Sequence, residues 1–284
     1  MKNNFYTITC ITNLHMGSGD INFNIIDNEV ERDPLYGHPI MFSSGVKGAL
    51  REHFETLGDP NVTTIFGSDI DASRKNNSGK STPGNLKFLN AELLFLPVRA
   101  ARGKYTFYYV TTKLLLARFC ELFAMLCGRE PVGGLANAVK TLGDDTIYCG
   151  DTSAVIEDYK CSGGKKLPES IIQFAKGILE ANDAEKLVIL PDTAFRNNQI
   201  PLPVLARNQL EKGESKNLWY EEIVPHKTVF YLPVLSNGTS DGDDALKNFD
   251  MKITENNLIQ FGADATIGYG LTNIKKYEGA AAVK

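Results

Sequence analysis

Residues 5 to 14, Phe-Tyr-Thr-Ile-Thr-Cys-Ile-Thr-Asn-Leu, alternate apolar and polar side chains and then run straight into a glycine turn, His15-Met16-Gly17-Ser18-Gly19-Asp20. A period of two with β-branched enrichment is the pattern of a half-buried strand. Such a strand needs a second layer against its apolar face. A helix can supply it, because Val46, Leu50, Phe54 and Leu57 recur at helical spacing before Gly58 and Pro60 stop the run. Ser43 or Ser44 is available to cap that helix.

Strand-like runs follow at 86–98 and 105–110, then an amphipathic helix from about Lys113 to Cys127. A short helix is predicted at 171–179, a buried strand at 187–190, and a helix over 243–260 that leads through a glycine loop into a last strand at 271–274. Residues 202–210 and a second arm through Trp219, Tyr220 and the run 228–234 read as a long hairpin with a charged tip at 211–217. The polar stretch 68–85 reads as a mobile loop, and 131–166 as irregular chain outside the core. The order β, α, β, β, α, then β suits a ferredoxin-like α+β core with insertions better than an alternating parallel α/β fold. One domain is expected over 1–284, with insertions at 59–85, 131–166 and 204–234.

Hydrophobic residues make up 43% and charged residues 23% of the 284-residue chain, which excludes wholesale disorder. The most apolar stretch, 114–127, is interrupted by Arg118 and Glu121 and falls short of a membrane span. The N-terminal residues lack the pattern of a signal peptide, so a cytoplasmic protein without membrane contact is expected. Five cysteines, none at CxxC spacing, argue for free thiols rather than a zinc site or a disulfide framework. The net charge of -4 argues against holding nucleic acid by bulk charge. A local basic track remains, since residues 73–104 carry seven Lys and Arg against Glu92 alone.

Three places offer chemistry. In Ser43-Ser44-Gly45-Val46-Lys47-Gly48, glycines at a helix start admit an anion to backbone N–H groups, and Lys47 and Arg51 at i and i+4 share a face that can grip phosphates. The terminal loop Gly262-Ala263-Asp264-Ala265-Thr266-Ile267-Gly268-Tyr269-Gly270 permits close backbone approach to a ligand. Asp27, in the loop after the first strand, could position a hydrated cation or orient a 2′-hydroxyl, with His15 assisting proton transfer.

In this order along the chain, the segments Asn13 to Gly19, Asp27 through Arg32-Asp33-Pro34 and Gly37-His38-Pro39, Ser43 to Arg51, and Gly262 through Gly270 resemble the RAMP superfamily of CRISPR effector proteins. Two further segments, Ala91 to Arg99 and Leu218-Trp219-Tyr220-Glu221-Glu222-Ile223-Val224-Pro225, look like the backbone subunits of type III-B (Cmr) complexes. The resemblance implies a ferredoxin-like, RRM-like palm, helical finger insertions and a protruding β-hairpin thumb. It implies copies of the chain stacked as a filament on a guide RNA, beside other Cmr subunits, with a complementary target RNA cut at regular intervals.

Carried over by residue, the resemblance makes Asp27 the essential aspartate of cleavage and a ligand for a divalent metal ion, magnesium or manganese, with no organic cofactor. It puts His15, Tyr220, Glu221 and Glu222 near the cut. It assigns Ser43, Ser44, Gly45, Lys47 and Arg51, together with Gly262, Thr266, Gly268, Tyr269 and Gly270, to the guide RNA. Tyr269 stands where the family often has a basic residue, and is expected to stack on a base. The alternative is an architectural guide-binding subunit without nuclease activity.

Overall fold

The computed structural model describes residues 2–19, 25–68, 81–131, 133–180 and 182–279. In chain order the elements are β1 (Asn3–Cys10), β2 (Ile40–Met41), α1 (Ser43–Thr56), α2 (Val62–Phe66), β3 (Leu86–Phe88), β4 (Ala91–Arg102), β5 (Phe107–Thr112) and α3 (Lys113–Cys127). They continue as α4 (Leu135–Thr141), β6 (Tyr148–Cys149), β7 (Val155–Ile156), β8 (Tyr159–Lys160), α5 (Glu169–Lys176), β9 (Leu187–Leu190), β10 (Val204–Glu211) and β11 (Glu214–Glu222). The chain closes with β12 (Val229–Ser236), α6 (Ser240–Glu255), β13 (Leu258–Gln260) and β14 (Leu271–Tyr277).

The main sheet runs in the order β13-β14-β1-β12-β4-β5-β9-β6. It is mixed: β14, β1, β12 and β4 pair antiparallel, whereas β5 and β9 are parallel. Helices cover both faces. On one side Tyr6 and Ile8 of β1 join Val46, Leu50 and Phe54 of α1 and Phe249 of α6. The Phe54 and Phe249 rings stack with centroids 5.4 Å apart. On the other side Phe5 meets Phe119 and Phe123 of α3, and Phe174 of α5 packs on Phe119. Each such aromatic contributes about 2 kcal/mol by leaving water. The first strand is therefore sealed on both faces from Phe5 to Ile8, beyond the half-burial its alternation predicts.

Local chemistry sets most boundaries. Thr112 caps α3 by accepting the Leu115 N–H at 3.3 Å, and Gly128 ends it in the left-handed conformation. Thr239 caps α6 in the same way, with Asp241 and Asp243 in its first turn. Neither serine caps α1, because both lie inside the helix. Phe42 occupies the cap position without a side-chain bond, and the Ser43 N–H is taken by Asn90 Oδ1 at 2.9 Å.

Four sequence expectations need correction. The hairpin consists of β10 and β11 alone, and its tip is the two-residue turn Lys212-Gly213, both with positive φ, rather than a seven-residue loop. The run 228–234, read as part of that hairpin, is instead β12, which lies between β1 and β4 in the main sheet. Residues 131–166 are not outside the core: Leu135, Val139, Tyr148, Cys149, Ile156 and Cys161 are all buried. The predicted helix over 243–260 ends at Glu255, and 258–260 is β13.

The mobile loop read at 59–85 contains α2, with Ile65 and Phe66 buried, while residues 69–80 lie outside the described residues. All five cysteines are free. Among the described residues no helix is long and apolar enough to cross a membrane.

Candidate functional site

The end of β1, the base of the β10–β11 hairpin and the terminal glycine loop converge. After Cys10 the chain leaves the sheet, and Leu14 forms a bridge to Val224, which draws His15 beneath the hairpin. His15 is buried, with Nδ1 2.7 Å from the Glu222 carbonyl and 3.5 Å from Glu221 Oε1. A carbonyl oxygen can only accept, so Nδ1 carries a proton and Nε2 is the ring nitrogen left to exchange one. The Nε2 side abuts Gly17, where an added Cβ would lie 3.1 Å from that nitrogen.

Glu221 and Glu222 are both 3% exposed. Adjacent strand residues point to opposite faces, and the two carboxylates find different partners. Glu222 accepts the Val30 N–H at 3.1 Å and the Arg32 guanidinium at 2.5 Å. Glu221 accepts Arg207 Nε at 2.7 Å. Arg207 also reaches Asp264 at 3.5 Å and lies 4.6 Å over the Tyr269 ring, so it links the hairpin to the glycine loop. Burial works against its charge, and the hydrogen bond and charge of Glu221, joined by Tyr269 and Asp264, together outweigh it and hold its pKa above the ordinary arginine value.

Asp27 is exposed, and its backbone is laid along the hairpin. Its N–H and that of Asn28 donate to the Tyr220 carbonyl, each at 3.1 Å, and the Tyr220 N–H donates to Asp27 Oδ2 at 2.8 Å. Tyr220 thus meets Asp27 through its backbone. The glycine loop closes the third side: the Ala263 N–H donates to the His15 carbonyl at 2.9 Å. Gly262 has φ of 72°, and a Cβ there would run into that carbonyl. Thr266 and Gly268 are exposed, Gly270 is buried, and one face of Tyr269 is taken by Arg207.

Between these walls lies an open cleft of about 810 Å³, lined by His15, Asn28, Arg207, Trp219, Glu221 and Asp264 among others. The α1 start stands beside it, with Gly45 packed near Met16. Ser44, Gly45 and Lys47 are exposed there, and Lys47 makes no ion pair among the described residues. Arg51 does not stand free beside it. It bonds Glu55 at 2.7 Å and the Gly67 carbonyl at 3.2 Å.

The sequence reading thus placed His15, Asp27 and the 220–222 segment where the structure brings them together. It missed Arg207, and it gave no role to Arg32 or Asp264 although both stand in its motifs. Arg207 has one available signal, an arginine facing Trp219 across the hairpin register. No three His, Cys, Asp or Glu side chains converge as a metal site among the described residues. Glu221, Glu222 and Asp264 are taken up by ion pairs, and Asp27 has one oxygen already bonded. This donor set does not fit a cation held by the protein alone.

The RAMP superfamily profile matches residues 7–273. The chain is similar to the CRISPR system Cmr endoribonuclease Cmr4 of Pyrococcus furiosus, 26% identical over 96% of this chain and 95% of that protein. It is 23% identical to the CRISPR system CMR subunit Cmr4 of Saccharolobus solfataricus, over 95% of each. Among solved structures it resembles a chain of the type III-B Cmr-beta complex bound to cognate target RNA, with a TM-score of 0.75, 23% identity and 98% of both chains covered. It also resembles the oligomeric Cmr4 crystal structure from Pyrococcus furiosus, with a TM-score of 0.68 and 22% identity, covering 97% of this chain and 98% of that one. These structural likenesses speak to the fold.

Proposed function

The chain belongs to the RAMP superfamily, and we propose that it is the backbone subunit of a type III-B CRISPR effector, binding guide RNA as a filament of copies beside other Cmr subunits and cutting the paired target RNA. The elements β1-α1-β4-β12-α6-β14, with the sheet order β14-β1-β12-β4, support a ferredoxin-like palm. The β10–β11 hairpin, a two-stranded sheet outside the main one, is then the thumb, and α3 to α5 with their short strands are the finger insertions.

The observation that carries the nuclease reading is the placement of Asp27. Its backbone and one carboxylate oxygen are fixed to Tyr220, and the side chain stays exposed beside the cleft. A carboxylate so held can orient a ribose 2′-hydroxyl and take its proton. The 2′-oxygen then attacks the neighbouring phosphorus, and the bond to the 5′-oxygen breaks. The products are a 2′,3′-cyclic phosphate and a 5′-hydroxyl, the latter taking up a proton. In-line geometry supplies most of the acceleration, and His15 can hold a proton at Nε2. Glu221 and Glu222 position: they fasten His15, Arg207 and the 28–32 segment to the hairpin. A divalent ion would find the exposed Asp27 carboxylate here and would rest mainly on RNA phosphates.

The test is reconstitution with a guide RNA and an end-labelled complementary target. Cuts at a regular spacing are expected, with ends that resist polyadenylation after phosphatase alone and accept it once acid has opened the cyclic phosphate and phosphatase has removed it. A target that is bound and left intact would favour the architectural reading.

A further inference from the structure

We propose that Arg207 holds the scissile phosphate in the cleft, and that Asp264 occupies the phosphate's place until RNA displaces it. This rests on the nuclease reading above and adds a second residue to Asp27. Arg207 is the single Lys or Arg among the described residues that line the cleft. Its side chain is held from two sides. Nε donates to the sealed Glu221 carboxylate at 2.7 Å, and the Tyr269 ring lies 4.6 Å from the guanidinium carbon. These contacts fix the plane of the fork and leave its two terminal nitrogens for other partners. Nη1 makes no hydrogen bond among the described residues.

The contact of Nη2 with Asp264 is of another kind. It spans 3.5 Å, the long limit of a hydrogen bond, to a carboxylate that is 35% exposed and bonds nothing else among the described residues. An exposed pair of that length contributes little. A phosphate offers the same fork two oxygens in a bidentate match and a stronger, charge-assisted bond. Exchanging one anion for the other keeps Arg207 neutralised and frees Asp264 to turn into water. The register sets this exchange beside Asp27. β10 pairs with β11 through Arg207 and Trp219, while Asp27 and Asn28 run along the other edge of β11, bonded to Tyr220. Two strand spacings, about 10 Å, therefore separate the backbones at Asp27 and Arg207. That gap suits one phosphodiester, with the carboxylate at its 2′-hydroxyl and the guanidinium at its non-bridging oxygens. As the 2′-oxygen–phosphorus bond forms and the 5′-oxygen leaves, charge grows on those oxygens, and a donor already fixed in place stabilises it without reorganising. The 2′-hydroxyl proton goes to Asp27 as above.

The complex reconstituted with guide RNA is saturated with end-labelled target, and single-turnover cutting is compared for wild type, Asp264→Asn, Arg207→Met and the double variant. Asparagine keeps the shape of Asp264 and readily adopts its positive φ of 63°, so that variant removes the charge alone. Asp264→Asn is expected to cut about threefold faster, the size of an exposed ion pair. Arg207→Met is expected to cut about a hundredfold slower, in the range of losing one fixed donor, and to abolish the gain from Asp264→Asn. No gain, a gain that persists without Arg207, or wild-type cutting by Arg207→Met would overturn the proposal and leave the nuclease reading standing. A wild-type complex that binds target and leaves it whole would overturn both. If Arg207→Met does not assemble, Asp264→Asn decides alone. Faster cutting at unchanged target affinity supports the exchange, and tighter binding at an unchanged rate would reduce Asp264 to a general repulsion of RNA.

Discussion

Arg207 and Glu221 lie 2.7 Å apart with unequal access to water: the arginine side chain keeps 20% of its surface and the glutamate 4%. Removing the arginine strands a sealed carboxylate, and that costs more than the pair contributes. Arg207→Met is expected to destabilise the fold by about 3 kcal/mol in urea unfolding, and Arg207→Met with Glu221→Gln to regain about half of that. A double variant no more stable than the single one would assign the loss to the stacking on Tyr269.

Asp27→Asn keeps an oxygen that can accept the Tyr220 N–H and removes only the charge. Stability should change by less than about 0.5 kcal/mol, as for other exposed positions. Target cleavage is expected to fall at least about a hundredfold, typical of losing proton-transfer assistance, with guide and target binding retained. Cleavage at the wild-type rate in a complex containing only the variant would remove Asp27 from the chemistry.

Legibility in the sequence followed how local the cause was. Helix α3 was readable in full because Thr112 and Gly128, its own neighbours, begin and end it. The start of α1 was read with a serine cap that does not exist, since the group bonded to the Ser43 N–H is Asn90, 47 positions away. The run 228–234 was joined to the hairpin because adjacency is all that a sequence offers, whereas its real partners are β1 and β4. In the site, motif order sufficed to assemble His15, Asp27 and the 220–222 segment. The Arg207 contacts with Asp264 and Tyr269 depend on hairpin register and a loop fold, and no spacing rule encodes them.

The same contrast separates Lys47 from Arg51. Lys47 is exposed and unpaired among the described residues, while Arg51 serves Glu55 and the Gly67 carbonyl. Lys47→Ala is expected to weaken guide RNA uniformly across guide sequences and to lower the salt slope of binding by about one. Arg51→Ala is expected to act first on stability, by about 1 kcal/mol, through the lost bond to the 67 carbonyl. Equal salt slopes for Lys47→Ala and the wild type in filter binding would remove Lys47 from the phosphate contacts.

His38 makes stability depend on pH. It is 4% exposed, lies between Tyr36 and Phe195, and its Nε2 has no hydrogen-bond partner among the described residues. Burial pushes its pKa below the ordinary 6.5; Asp33 and Glu92 pull it back up, while Arg118 and Arg32 add to the lowering. Below pH 6.5 the unfolded chain therefore binds a proton that the folded chain refuses. Unfolding free energy rises with pH wherever the unfolded state holds more protons, so this contribution is fully present above 6.5 and is lost as the pH falls towards the folded value. The loss is about 1.4 kcal/mol for each pH unit in that window. In urea unfolding between pH 8 and 5, His38→Leu is expected to have a shallower acid limb than the wild type, whatever its stability at pH 8. Parallel limbs for the two proteins would mean that other groups carry the acid sensitivity.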